Sequence, residues 1–258
     1  MTVAKTIIQS YSAMGYDAIA VSASDLTAGK DFFESSAENH YPWTSVNIFD
    51  SSGKALFKPY IVKDIGGLTV GVVGITGQSS QNSQWAVIKD WQDPLRRQLQ
   101  DLESLADIVV LLSNLPSSDI HSIVQLFPQI DLIITADRKR GNLSPSISGN
   151  SLISQTGARG KYLGQLSIKF RKSGRWYSDN SRKIEVIEDR IKSVDNQIGK
   201  LQKQNDKQGN TAGRIKKLIT VKSDLEQNLA TEKSSRINSS NQITNSFKAN
   251  FIPIRPNH

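Results

Sequence analysis

Leu68-Thr69-Val70-Gly71-Val72-Val73-Gly74-Ile75 is the run on which the fold turns. It is apolar and rich in valine, the kind of strand that a covered sheet buries. Before it stands Gly66-Gly67, and before that Leu56 to Asp64 alternates like an edge strand, so the pair predicts a hairpin. Downstream, Asp107 to Leu112 (DIVVLL) and Asp131 to Thr135 (DLIIT) read as further buried strands. Asp93-Pro94 opens a helix with Leu95, Leu99, Leu102 and Leu105 on one face, and Ser117 to Leu126 forms a second, shorter helix that Pro128 ends. Strand, helix, strand, helix, strand predicts βαβ crossovers, hence a layered α/β domain.

Working towards the N-terminus, Thr44 to Phe49 (TSVNIF) and Asp17 to Ser22 (DAIAVS) read as strands, with Phe32 and Phe33 in the intervening Lys30 to Glu34. Val3, Ile7, Ile8, Tyr11 and Met14 fall at helical spacing, and Gly15 stands where a helix stops. Towards the C-terminus, a loop rich in Ser, Pro and Gly leads to strands at Ser151 to Gln155 and Tyr162 to Phe170. The turn Lys172-Ser173-Gly174 predicts a hairpin onto Arg175 to Tyr177.

Beyond Asn180 the pattern changes. Ile184, Ile187, Ile191, Val194, Ile198 and Leu201 form an a/d seam, the polar segment Asn205 to Gly213 follows, and Ile215, Leu218, Leu225 and Leu229 line a second helix. An antiparallel helical (coiled-coil) hairpin is expected, with Gly199 weakening its first arm by about 1 kcal/mol relative to alanine. Phe247, Ala249 and Phe251 then alternate with polar residues as a returning strand ending at Pro253. The expected organisation is an α/β domain over residues 1–183, a helical hairpin insertion over 184–236, and a returning strand and tail over 237–258.

The net charge is +8, but the basic residues are spread over loops and helices, and the one tight run, Arg138-Lys139-Arg140, has no aromatic neighbours. This reads as solvated surface rather than a nucleic-acid site, with the run kept as a candidate partner contact. The absence of cysteine excludes disulfides, thiolate catalysis and zinc–thiolate sites. No stretch approaches the roughly 18 apolar residues of a membrane span, and residues 1–17 lack the pattern of a secretory signal.

Four segments in order resemble the metallophosphoesterase domain of bacterial 5'-nucleotidases, within the calcineurin-like superfamily. They are Gly15-Tyr16-Asp17-Ala18 with Ser22-Ala23-Ser24-Asp25-Leu26; Ser45-Val46-Asn47 with Phe57-Lys58-Pro59-Tyr60 and Val70 to Ile75; Val109 to Leu115 with Ile130 to Ile134; and Gly157 to Gly164 (GARGKYLG). The resemblance covers about residues 1–170 and implies a sheet-and-helix fold that, in the family, holds two divalent metals at strand ends. Those metals generate a hydroxide and clamp phosphate oxygens.

The same resemblance implies a degenerate site. The family's Asp-x-His strand and bridging Asp are expected ahead of the helix that opens this chain. Its Gly-Asn-His-Glu segment falls on Ser22 to Asp25, so that Ala23 stands for the ligand Asn and Ser24 for the catalytic His. Asn114 occupies a ligand His position in Ser113-Asn114-Leu115-Pro116, and Asp137 and Lys139 replace the two histidines of the Gly-Gly-His-Thr-His segment. Asp25, Asn114 and Asp137 remain as residual oxygen donors for a weak Mg or Ca site. Lys139 opposes one, since a lysine about 4 Å from a dication is repelled by several kcal/mol even at an effective dielectric near 20. His40, His121 and His258 fall on no family motif.

The expectation is therefore a shortened, non-catalytic pseudoenzyme that acts in binding or scaffolding and needs no cofactor. Its helical hairpin 184–236 is a possible contact for a protein partner. The alternative is a metal-dependent phosphoesterase whose site is altered, or is completed by another chain. By resemblance the chain is expected to be periplasmic or cell-surface, and to lack the family's C-terminal substrate domain.

Overall fold

The computed structural model describes residues 2–38, 41–78, 83–172, 174–177, 181–203, 211–240 and 244–254. His40, Ser173, residues 205–210 of the expected interhelical loop, and Arg255 to His258 lie outside the described residues. The chain divides into two compact units, Met1–Ser167 with Lys248–His258, and Ile168–Phe247.

The first unit opens with α1 (Thr2–Ala13), β1 (Ile19–Ala20), a 3-10 turn at Asp25–Ala28, α2 (Lys30–Glu38), β2 (Trp43–Thr44) and β3 (Ile48–Phe49). It continues with β4 (Tyr60–Ile65), β5 (Leu68–Ile75), β6 (Val87–Ile88), α3 (Gln92–Leu102), β7 (Ile108–Ser113), α4 (Ser117–Leu126), β8 (Leu132–Thr135), β9 (Leu143–Ser148) and β10 (Ser151–Gln155). The main sheet has the order β4-β5-β7-β8-β10-β9. Its four central strands are parallel, and antiparallel β4 and β9 form the edges. The expected hairpin is present: Ile65 pairs with Leu68 across Gly66-Gly67, both at positive φ (63° and 84°), which a tight two-residue turn requires.

The β5 sequence carries the layering. Gly71 faces α3, where an added Cβ would stand 2.8 Å from Leu102, so its absence lets the helix seat directly on the strand. Leu95, Leu99 and Leu102 are almost wholly buried in that contact, each worth about 2 kcal/mol of transfer free energy. They share one core with Val73, Ile75, Leu111, Ile123, Phe127 and Ile133. Gly74 faces the other way, beneath the backbone of Thr44, with Val46 donating its N–H to the Gly74 carbonyl at 2.9 Å. A second core lies there, formed by Ile8, Val21, Leu26, Phe32, Phe33 and Ile48.

Three expected elements differ. Thr44 to Phe49 is not one strand but β2 and β3, which pair with different partners because Ser45 and Asn47 turn inward to bury hydrogen-bonded polar groups. The serine- and proline-bearing loop is in part β9 (LSPSIS), tolerated because it is an edge strand whose pairing shifts register opposite Pro145. The third concerns β11 (Tyr162–Lys169), β12 (Arg175–Trp176) and β13 (Thr244–Pro253). No hairpin closes β11 onto β12, because β12 pairs in parallel with the start of β13, Arg175 opposite Thr244 and Trp176 opposite Asn245.

In the second unit Asn245 is fully buried and fixes the turn before β12, its Oδ1 accepting from Arg171 N–H and its Nδ2 donating to the Gly174 carbonyl. Trp176 packs between Phe170 and Phe247. α5 (Ser181–Lys203) and α6 (Thr211–Ser240) run antiparallel, linked by Lys222–Asp195 and Lys233–Glu188 ion pairs, both 2.7 Å. Ile184 and Val194 are buried along α5. On α6 the half-buried row Ile215, Leu218, Lys222, Leu225 and Leu229 places a lysine inside the apolar seam.

Candidate functional site

Strand register brings four chain positions to one level at the C-terminal edge of the parallel sheet: Ile75 opposite Ser113, Ser113 opposite Thr135, and Thr135 opposite Gln155. In an open α/β sheet the segments leaving this edge form the ligand crevice. Here those segments begin at Thr76, Asn114, Ala136 and Thr156.

The sequence-predicted residues stand at or beside this edge. Ala23 is buried. Ser24 Oγ accepts a hydrogen bond from Arg138 Nη2 at 3.2 Å, which joins the segment after β1 to the loop after β8. Asp25 Oδ2 accepts from both the N–H and the hydroxyl of Ser22, each at 2.8 Å, so its carboxylate closes its own turn. Asn114 Oδ1 accepts from Gly77 N–H at 2.6 Å, tying the chain after β7 to the chain after β5. Asp137 Oδ1 accepts from Lys139 N–H at 2.9 Å, and Oδ2 lies 3.8 Å from Arg140 Nε. Lys139 and Arg138 are exposed on the same loop. His121 is exposed on α4 with Nε2 3.1 Å from Gln125 Nε2.

Two buried polar clusters that residue-by-residue reading missed organise this edge. Asn47 donates from Nδ2 to the Thr76 and Lys89 carbonyls, both 2.8 Å, while its Oδ1 accepts from Thr76 N–H. Ser45 and Thr76 hydroxyls meet at 2.9 Å, and Thr76 donates on to the Val21 carbonyl. Gln155 is the second hub. Its Oε1 accepts from the Thr135 hydroxyl and Asp137 N–H, and its Nε2 approaches the carbonyls of Asp137, Arg140 and Gly141 at 3.0 to 3.1 Å. The available signal was a polar residue closing an apolar strand, as Thr76 and Gln155 each do.

A site for two divalent metals needs several anionic or imidazole ligands with lone pairs converging on one point. Among the described residues no three of His, Asp and Glu stand together in that way. Asp25, Asn114 and Asp137 each direct an oxygen to a backbone N–H of their own surroundings, and the loop bearing Asp137 also carries three cations. The described residues at this edge do not fit a two-metal centre.

A separate cavity of about 560 Å³ lies in the same unit, beside the second core, lined by Phe33, Tyr41, Trp43, Phe57 and Trp85 and by Lys58. A smaller one of about 220 Å³ adjoins the sheet edge between His121, Asp137, Arg140 and Ser146. Among the described residues no helix is long and apolar enough to cross a membrane.

No protein-family model matches the sequence, and no curated protein matches it. Solved structures do. The sulfate thiohydrolase SoxB of Thermus thermophilus is 22% identical with a TM-score of 0.59, over 66% of this chain and 33% of that one. A 5'-nucleotidase precursor from the same organism is 20% identical with a TM-score of 0.57, over 65% of this chain and 38% of that one. A putative 5'-nucleotidase from Staphylococcus aureus gives 18% and 0.56, over 67% and 38%. The match thus spans between a third and two fifths of the length of each of these structures. The parallel sheet, its covering helices and these likenesses together show that this chain shares its fold with part of SoxB and of the 5'-nucleotidases.

Proposed function

We propose that this chain is a non-catalytic module on the 5'-nucleotidase-type fold, acting in binding or scaffolding. The observation that supports this reading is where the polar groups at the sheet's C-terminal edge are spent. Asp25, Asn114 and Asp137 each bond to nearby backbone, and Gln155 holds the 135–141 loop from beneath. A crevice prepared for catalysis leaves such groups free to meet substrate or metal. Fold and chemistry separate readily, since function resides in the side chains grafted onto a scaffold.

In this reading the exposed Arg138, Lys139 and Arg140 are the contact points at the edge, and the helices within 184–236 offer a second surface for a protein partner. The compartment proposed is the periplasm or cell surface.

The test combines calorimetric titration with Mn, Zn, Mg and Ca and an assay of phosphate release from nucleoside monophosphates and an aryl phosphate. The expected result is no metal affinity tighter than about millimolar and no phosphate released. Stoichiometric metal binding with turnover that Asp25→Ala or Asp137→Ala abolishes would overturn the proposal in favour of a metal-dependent phosphoric ester hydrolase with an altered site.

A further inference from the structure

We infer that the aromatic cavity beside the second core is a binding site for a small planar aromatic anion. Its volume of about 560 Å³ falls within the range of roughly 300 to 1,000 Å³ common to small-molecule pockets. Five aromatic side chains, Phe33, Tyr41, Trp43, Phe57 and Trp85, line it. Phe33 is the hub, with ring centroids 5.3 Å from Trp43, 5.1 Å from Phe57 and 5.5 Å from Trp85. The Trp85 ring is held by its Nε1 donating to the Leu26 carbonyl at 3.2 Å. Such a prearranged set of faces and edges favours a flat ring system over a flexible aliphatic chain.

Charge selects within that class. Two lysines at the cavity are already neutralised, Lys30 by Glu34 and Lys63 by Asp17, both at 3.3 Å. Lys58 also lines the cavity and makes no ion pair among the described residues, and the Tyr41 hydroxyl makes no hydrogen bond among them. Among the described residues, one ammonium without an ion pair and one hydroxyl without a hydrogen bond, beside rings packed edge to face, complement a carboxylate or sulfonate on an aromatic nucleus. A cationic ligand would meet the aromatic faces but be repelled by Lys58.

This goes beyond the proposed function, because the cavity is lined by residues 17 to 85 and uses none of the side chains at the sheet edge. Its test is correspondingly separate from the metal and phosphate assays. Of the four tryptophans, Trp43 and Trp85 line the cavity, so intrinsic fluorescence reports occupancy.

The full chain would be titrated with indole-3-carboxylate, 2-naphthoate and benzenesulfonate, and with the neutral indole-3-carboxamide and 2-naphthamide, by fluorescence and calorimetry. Saturable binding of at least one anion is expected, with its neutral amide weaker. Lys58→Ala should weaken the anion about two- to fivefold, the range of an exposed ion pair, and leave the amide unchanged. Phe57→Leu should weaken anion and amide alike, with circular dichroism confirming that each variant folds. Lack of saturation by any anion up to millimolar concentration overturns the site. Equal affinity for anion and amide, or equal loss of both in Lys58→Ala, overturns the assignment of charge.

Discussion

Asp131→Asn should stabilise the protein at neutral pH and do almost nothing in acid. Asp131 precedes β8 and clamps it to β7, its N–H donating to the Val109 carbonyl at 3.0 Å and its Oδ2 accepting from Val109 N–H at 2.8 Å. Burial pushes its carboxyl up to about 6, with the Val109 hydrogen bond only partly opposing. In the unfolded chain the value is about 3.9, so the folded state holds this proton more tightly by about two units, or about 3 kcal/mol at 1.36 kcal/mol per unit. The sign follows: stability from this group is fully present below about pH 4 and is lost as pH rises through 6. Asparagine keeps the acceptor for Val109 N–H and removes the charge. The gain at pH 8 should be on the order of 2 kcal/mol once residual solvent access is allowed for. Urea unfolding of parent and variant at pH 4 to 8 gives a difference curve from which other titrating groups cancel. A flat curve, or a variant less stable at pH 8, would refute the reasoning.

Gly74→Ala places a Cβ 2.5 Å from the Thr44 carbonyl oxygen, against backbone that cannot yield, and should cost about 3 kcal/mol by thermal or urea melting. Gly67→Ala meets open space and bears only the strain of φ 84°, so about 1 kcal/mol is expected. Gln155→Leu strands the Asp137 N–H and the Thr135 hydroxyl in the interior. A loss of about 2 to 4 kcal/mol is expected, and hydrogen exchange at the Asp137 amide should accelerate selectively. Lys222, whose ammonium is held above its ordinary pKa chiefly by the Asp195 hydrogen bond, interrupts the seam between Leu218 and Leu225. Lys222→Leu should raise the melting temperature of the α5–α6 pair followed by circular dichroism, and a fall would show that the ion pair outweighs the apolar contact.

The sheet was legible because its signals are local: Gly66-Gly67 can hardly be anything but a tight turn, and DIVVLL and DLIIT are too apolar to lie outside. Edge strand β9 was not, since Ser144, Pro145, Ser146 and Ser148 carry turn chemistry and become a strand only through pairing with β10. Thr44 to Phe49 misled for the opposite reason, because it reads as one strand while Ser45 and Asn47 belong to a buried hydrogen-bond cluster with Thr76, some 30 residues away. Asn114 and Asp137 were singled out by resemblance as residual oxygen donors, but the partners of their oxygens depend on neighbouring loops and are not written in spacing. Gln155 escaped notice because one glutamine at a strand end has no sequence signature until the loop above it is in place.

The Gly66-Gly67 turn also bears on the order of assembly. The β4–β5 pair needs only two residues to close, whereas β7 and β8 must each wait for a helical crossover, through α3 and α4, to bring them back. Hairpins form in about 1 to 10 μs, far ahead of contacts that close long loops. β5 is thus pinned on one side before β7 arrives, and its other edge, with the bare surface at Gly71, is the template on which α3 and β7 dock. A substitution that slows this turn should delay the whole sheet, while one in β9, at the far edge, should change how fast the finished molecule comes apart.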